Sequence, residues 1–187
     1  MNLRSSAGKR RGAIFLWRYR DNARNYPGWN LSADASGACS LLRRLRALAQ
    51  SSRGTSRTVN VDVPTLAVLR VPNNEGGKAR RWAPSTWRIA FQPDPEQRDL
   101  WKFPDDEDPA VLTLGRDRLA DLIKGVEAIT HGRGDYSIGG GAGDPSLPQA
   151  ELWLWWYLPH NKPLERPGMK PRRRVGRQRA GRSAAGR

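Results

Sequence analysis

The sequence predicts an α+β fold: one domain over about residues 12–159, with two main helices packed on a largely antiparallel sheet, and disordered basic ends over residues 1–11 and 160–187. Three features of the 187-residue chain support this prediction. Several short segments have the two-residue period of a strand, and two longer segments repeat leucine with the period of a helix. Arginine, proline and glycine collect at the carboxyl end, where few apolar residues are available to form a core.

The first strand and the first helix follow one another near the amino end. Residues 13–19, AIFLWRY, form a short apolar and aromatic run that predicts a strand. Pro27 and Gly28 favour a turn, after which Ser32 or Asp34 can cap a helix by accepting hydrogen bonds from backbone N–H groups. The predicted helix has one apolar stripe, formed by Ala38, Leu41, Leu42, Leu45 and Leu48.

Strand patterns dominate the middle of the chain. Residues 58–63 and 87–91 alternate apolar with polar side chains, as half-buried strands do. Residues 66–71, 100–103 and 110–114 are short apolar runs that predict further strands. Because proline, asparagine and glycine separate several of these runs, the middle of the domain is predicted to be largely sheet.

The second helix is the most strongly periodic segment of the chain. It is predicted over residues 116–129, where Leu119, Leu122, Ile123, Val126 and Ile129 recur at helical spacing. A short strand is predicted to follow over residues 135–138. If that strand and residues 110–114 joined one sheet, the helix between them would complete a βαβ unit and make part of the sheet parallel.

The aromatic segment ELWLWWYL, residues 151–158, is apolar on both sides of an extended chain. This pattern predicts a central strand covered by helices on at least one face. An alternative is that one face is exposed, in which case Trp153, Trp155 and Tyr157 would form a binding surface for bases or for a partner protein. A third interpretation is adhesion to anionic lipid, aided by the basic tail.

The net charge of +15 is concentrated at the two ends of the chain. Residues 1–12 contribute +4 and residues 160–187 contribute +9, whereas residues 13–159 contribute only +2. A basic tail of this kind can neutralise phosphates without selecting a sequence. The tail residues predicted to contact nucleic acid are Arg172, Arg173, Arg174, Arg177 and Arg179. The alternative is a tail that only increases solubility.

Metal, cofactor and membrane sites are not predicted. Cys39 is the single cysteine, so the chain forms no internal disulfide, and with two histidines it offers no structural zinc set. The acidic run at residues 105–108 lacks the spacing and the glycine of a calcium-binding loop. No apolar run approaches the roughly 18 residues of a membrane span. We therefore expect a cytoplasmic protein without a cofactor.

Enzyme signatures are nearly absent. The glycine-rich stretch GRGDYSIGGG has neither the third glycine of a dinucleotide loop nor the Lys-Ser/Thr pair of a nucleotide loop. Weak catalytic candidates are His131, Asp135 and Glu127, because a carboxylate four residues before a histidine can orient its imidazole as a general base. A histidine at the end of a helix is also explained by its favourable interaction with the helix dipole.

Three functional hypotheses follow from these patterns. The first is a noncatalytic interaction module that binds an unidentified protein through its aromatic surface or its loops. The second is a nucleic-acid-associated protein whose arginine-rich tail supplies nonspecific phosphate binding. The third is a hydrolase or transferase that uses His131. The residues place the noncatalytic hypotheses ahead of the enzymatic one.

Overall fold

The computed structural model describes residues 12–20, 28–71, 81–104, 108–139 and 150–156. In chain order, the elements within these ranges are β1 (Ile14–Tyr19), β2 (Trp29–Ala33), α1 (Ala35–Ala49), β3 (Thr55–Asn60), α2 (Leu66–Leu69), β4 (Arg81–Trp82), β5 (Thr86–Phe91), a 3-10 helix (Pro95–Gln97), β6 (Trp101–Lys102), β7 (Ala110–Leu114), α3 (Arg116–Thr130), β8 (Tyr136–Ile138) and β9 (Leu152–Leu154). The α+β class is confirmed.

The strands form two mixed sheets. The five-stranded sheet has the order β4-β1-β2-β9-β8, and the four-stranded sheet has the order β3-β5-β7-β6. Five of the strand pairs in these ranges are antiparallel, whereas β2–β9 and β5–β7 are parallel. Because β7 and β8 belong to different sheets, the alternative of a βαβ unit around α3 is wrong.

The two long helices confirm their sequence predictions. Asp34 caps α1 by accepting a hydrogen bond from the backbone of Gly37 at 2.6 Å, whereas Ser32, the other predicted cap, lies inside β2. The apolar stripe of α1 is buried throughout, and α3 buries most of its predicted stripe, with Ile123 partly buried against the core. None of the helices in the described part of the chain has the length and apolar composition needed to cross a bilayer.

One hydrophobic core joins both sheets to both long helices. It contains the inward residues of β1, β2 and β9 from one sheet, those of β3, β5, β6 and β7 from the other, and the buried stripes of α1 and α3. Phe103 lies between the sheets, because its ring stacks on Trp29 at 4.9 Å and on Trp87 at 6.3 Å. The core therefore occupies the space enclosed by the inner faces of both sheets.

A second, smaller apolar cluster covers the outer face of the five-stranded sheet. Phe15, Trp17 and Tyr19 alternate outward along β1 and are buried against residues of α2 and the turn after it. Trp155 joins the same cluster. The five-stranded sheet is thus covered by apolar side chains on both faces.

The structure corrects two local expectations and adds one strand. Residues 66–71 contain a helical turn rather than a strand, because Thr65 accepts a hydrogen bond from the Val68 backbone and so caps α2. Strand β2 was not predicted at all. The strand expected over residues 58–63 spans Thr55–Asn60 instead, and this leaves Val63 69% exposed. The aromatic segment does form a central strand, but it has only three residues.

The start of β1 packs directly against the first turn of α1. Asp34 accepts a hydrogen bond from the Ala13 backbone at 2.9 Å, which draws residues 12–13 onto the helix. A Cβ atom at Gly37 would lie 2.1 Å from the carbonyl oxygen of Ala13. Only glycine can occupy this helical position without moving the start of β1.

We expect Gly37→Ala to destabilise the protein although alanine is the better helix former. Because the added Cβ would lie 2.1 Å from a backbone oxygen, the cost of overpacking should be near the upper end, about 3 kcal/mol. The helix propensity gained is at most about 1 kcal/mol, so the free energy of unfolding should fall by about 2 kcal/mol. Chemical denaturation measures this change. The neighbouring exposed substitution Ser36→Ala is the control and should stay within about 0.5 kcal/mol. A G37A variant as stable as the wild type would contradict the packing argument.

Candidate functional site

The aromatic residues proposed as a binding surface occupy different environments. Trp155 is 1% exposed, and its Nε1 donates a hydrogen bond to the Oδ1 atom of the buried Asn30 at 2.9 Å. Trp153 is half-buried, and its ring stacks on that of Trp155 at 6.1 Å. Tyr157 lies outside the described residues. The structure therefore places Trp155 in the packing of the second cluster, with Trp153 at its margin.

All eight tryptophans lie in the described part of the chain, and none of them is exposed. Five are buried, and Trp82, Trp153 and Trp156 are half-buried. Two indoles connect distant segments through their N–H groups, since Trp29 donates to the carbonyl oxygen of Pro104 and Trp101 donates to that of Ala150. The abundance of tryptophan thus contributes chiefly to packing.

The three catalytic candidates lie near one another at the end of α3 but do not form the expected pair. The Glu127 carboxylate contacts Arg46 at 2.6 Å. The Nδ1 atom of His131 lies 2.9 Å from the backbone carbonyl oxygen of Glu127, not from its carboxylate. Asp135 is exposed, and its backbone N–H donates to the carbonyl oxygen of Leu154. In this geometry no described carboxylate orients the imidazole, and His131 finishes the helix.

The remaining sequence predictions concern the basic tail and metal binding. The five tail arginines, Arg172, Arg173, Arg174, Arg177 and Arg179, lie outside the described residues. Within the described ranges, no group of three or more histidine, cysteine, aspartate or glutamate side chains is arranged to hold a metal ion. Cys39 is a free, exposed thiol on α1.

The outward side of the four-stranded sheet is not covered by either long helix. Alternation along each strand directs one set of side chains into the core and leaves the other set exposed or half-buried, as in β5, where Arg88 is exposed between the buried Trp87 and Ile89. We call this outward surface the open face. Its residues are Ser56, Thr58, Asn60, Thr86, Arg88, Ala90, Lys102, Val111 and Thr113.

The open face carries hydroxyl groups and two cationic groups but no carboxylate. Strand register places Ser56, Ala90, Thr113 and Lys102 in one row across the four strands. Three interstrand spacings make this row about 14 Å wide. Arg88 lies in the adjacent row, and its Nε donates to the Ser56 Oγ atom at 3.2 Å. Asp108, two residues before β7, accepts hydrogen bonds from the backbone N–H and the hydroxyl of Ser85.

Arg57 does not belong to the open face. It is an exposed residue of the edge strand β3 whose partner on β5 is the buried Ile89, so its side chain leaves the strand on the other side of the sheet, and its Nη1 donates to the Ser56 carbonyl oxygen at 3.0 Å. Among the described residues, no carboxylate forms an ion pair with Arg88 or Lys102. The positive charge of the open face is therefore not compensated by a described partner.

Three other arginines of the described ranges, Arg46, Arg98 and Arg118, are paired with carboxylates. The Nε and Nη2 groups of the exposed Arg98 donate hydrogen bonds to the carboxylate of the half-buried Asp117, the shortest at 2.8 Å. These hydrogen bonds lower the pKa of the Asp117 carboxyl below its usual value and raise the pKa of the Arg98 guanidinium. Carboxylates of α3 thus neutralise arginines on the helical side of the molecule and not on the open face.

The sequence contained one signal for this surface. The alternation in residues 87–91 implies that Arg88 lies opposite the core. What the sequence did not provide was the pairing of β3 with β5, which brings Ser56 and Arg88 together.

Comparison with known proteins yields no match: no protein family, no curated protein and no solved structure is significantly similar to the chain.

We expect Asn30→Ala to destabilise the second cluster, because the buried Trp155 indole loses its acceptor. Leaving a buried donor without a partner costs about 1 to 3 kcal/mol. A double-mutant cycle with Trp155→Phe isolates the hydrogen bond, because the phenylalanine removes the N–H group and retains an aromatic ring. Urea unfolding should show that N30A is less harmful in the W155F background. Equal effects in both backgrounds would show that the bond contributes nothing.

Proposed function

We propose that this protein is a noncatalytic nucleic-acid-binding module that contacts the sugar-phosphate backbone through its open face. The observation that supports the proposal is the uncovered face of the four-stranded sheet, where Arg88 and Lys102 lie among hydroxyl side chains without a carboxylate. Arginine, lysine, serine, threonine and asparagine are the side chains that donate hydrogen bonds to phosphate oxygens. The basic ends of the chain are proposed to add sequence-independent affinity.

An anionic partner fits the open face better than a second copy of the chain does. A two-fold interface between two copies would bring the same patch of each molecule together. Arg88 lies on β5, an interior strand of the sheet. In such an interface, Arg88 and Lys102 of one copy would approach the same cations of the other copy. Like charges brought together across an interface disfavour association. Charge complementarity therefore favours a polyanion.

The proposed binding does not depend on base identity. The open face has no aromatic residue on which a base can stack. Its two cations and its hydroxyl groups match the repeating phosphates instead, and contacts of this kind fix position without reading sequence. The proposed contacts are with the sugar-phosphate backbone and do not involve stacking on tryptophan, in agreement with the burial of Trp155.

We expect Arg88→Gln with Lys102→Gln to weaken binding to a single-stranded oligonucleotide about tenfold, because exposed charge contacts are each worth up to about 1 kcal/mol. The slope of log affinity against log salt should fall by about two, one for each lost phosphate contact. Fluorescence anisotropy with a labelled oligonucleotide measures both quantities.

The matched control for this experiment is Lys124→Gln with Arg133→Gln, which removes the same two charges from exposed positions on and after α3. This control should change affinity much less than the open-face variant. If both double variants weaken binding equally, only net charge matters, and the open face is not the binding surface.

We expect deletion of residues 160–187 to weaken binding and to reduce its salt dependence, since this segment supplies +9 of the net charge. Binding should not be abolished, and the remaining affinity should be lost when R88Q and K102Q are added. Circular dichroism checks that the shortened chain is folded. Complete loss of binding on deletion alone would assign the function to the tail and not to the sheet.

A further inference from the structure

We propose that the open face binds duplex RNA across its minor groove and contacts the ribose 2′-hydroxyl groups. The inference rests on the proposed function and deepens it, because it names the class of nucleic acid. Its basis is the arrangement of the open face. Cationic groups lie toward its two margins, and the half-buried side chains of Ala90, Val111 and Thr113 lie between them.

The two cations are directed toward opposite margins of the sheet. Arg88 lies opposite Thr58 of the edge strand β3, and its Nε donates to the Ser56 Oγ atom at 3.2 Å, so its guanidinium leans toward β3. Lys102 lies on β6, the strand at the other edge. Ser56 and Lys102 end one row of the sheet, about 14 Å apart across three interstrand spacings. Arg88 and Lys102 are therefore placed to contact separate phosphates.

Hydroxyl groups are the other polar groups of the open face that a ligand can use. Thr58, Thr86 and Thr113 form no hydrogen bond through their hydroxyls within the described residues. The Ser56 Oγ atom accepts from Arg88 and keeps its own proton for another acceptor. A hydroxyl both donates and accepts hydrogen bonds, and so does the ribose 2′-OH. These side chains therefore match ribose better than deoxyribose.

The width of the four-stranded sheet keeps it out of the grooves of B-form DNA. The row of about 14 Å is wider than the major groove, which is about 12 Å across and admits a helix or a two-stranded ribbon. It is also wider than the minor groove, which is about 6 Å across. In A-form RNA the major groove is deep and narrow, whereas the minor groove is wide and shallow and displays the 2′-hydroxyls. A broad sheet face fits this last groove best.

A single strand fits the open face less well than a duplex does. Proteins that bind single strands stack the bases on aromatic side chains, and the open face has no aromatic residue. In a duplex the bases are already stacked on one another and need no such platform. A groove is bordered by the phosphates of two strands, which corresponds to one cation at each margin of the face. We therefore expect duplex RNA to bind more tightly than either of its strands.

The test compares the affinity of the full-length protein for short duplexes of one sequence, made of RNA, of DNA or of 2′-fluoro RNA. The 2′-fluoro duplex keeps the A-form and lacks the hydroxyl. Fluorescence anisotropy at physiological ionic strength weakens the contribution of the basic ends. The RNA duplex should bind about tenfold more tightly than either of the other two, which is the effect of one or two net hydrogen bonds.

Valine substitutions assign the preference to side chains of the open face, because valine keeps the branched shape of threonine and lacks its hydroxyl. T58V with T113V should lower affinity for the RNA duplex several-fold and leave affinity for the DNA duplex unchanged. The matched control is T55V, which removes a hydroxyl from the opposite side of β3, where Thr55 pairs with the buried Phe91. This control should change neither affinity. Circular dichroism checks that each variant is folded.

Equal affinities for the RNA and DNA duplexes, or a 2′-fluoro duplex that binds as tightly as RNA, would overturn the inference. Tighter binding of single-stranded RNA than of the duplex would also overturn it. In these cases the nucleic-acid function is retained if R88Q with K102Q still weakens binding, since phosphates are common to all the ligands. If no oligonucleotide binds the wild-type chain, the proposed function itself is rejected.

Discussion

The hydrophobic core shared by two sheets and two helices is the constraint on which the rest of the structure depends. Each strand must direct one set of side chains into this core, and the period of two then fixes which residues face outward. In the five-stranded sheet the outward residues of β1 are aromatic and are covered by a second apolar cluster. In the four-stranded sheet they are hydroxyl, small and cationic, so that face remains open. The difference between the two outer faces is encoded strand by strand.

Sequence periodicity was sufficient where an element is defined by its own residues. The alternation of Trp87, Ile89 and Phe91 predicted β5, and the leucine stripes predicted α1 and α3. Strand β2 was missed because its outward residues, Asn30 and Ser32, are polar and buried. Asn30 donates to the carbonyl of Trp17 on the neighbouring strand, but it also accepts from Trp155, and Ser32 donates to the carbonyl of Trp156; these last two partners lie more than 120 residues away in the chain. A polar residue that is satisfied at such a distance gives no local signal of burial.

The division of the strands into two sheets also could not be predicted from local sequence patterns. Strand β2 pairs with β9 across most of the chain, and β5 pairs in parallel with β7 rather than with its nearest neighbour in sequence. Pairings of this kind depend on how many strands compete for the same edges, which periodicity does not describe. The short run at residues 66–71 was misassigned for a related reason, because an apolar run of that length fits a strand or a helical turn equally well.

The candidate site was hidden by averaging charge along the chain. Residues 13–159 are nearly neutral as a whole, whereas the open face within them carries Arg88 and Lys102 and no carboxylate. Glu127 and Asp117 on α3 neutralise Arg46 and Arg98. Burial explains the tryptophans, so charge and not aromatic surface is the property that distinguishes the exposed side of this protein.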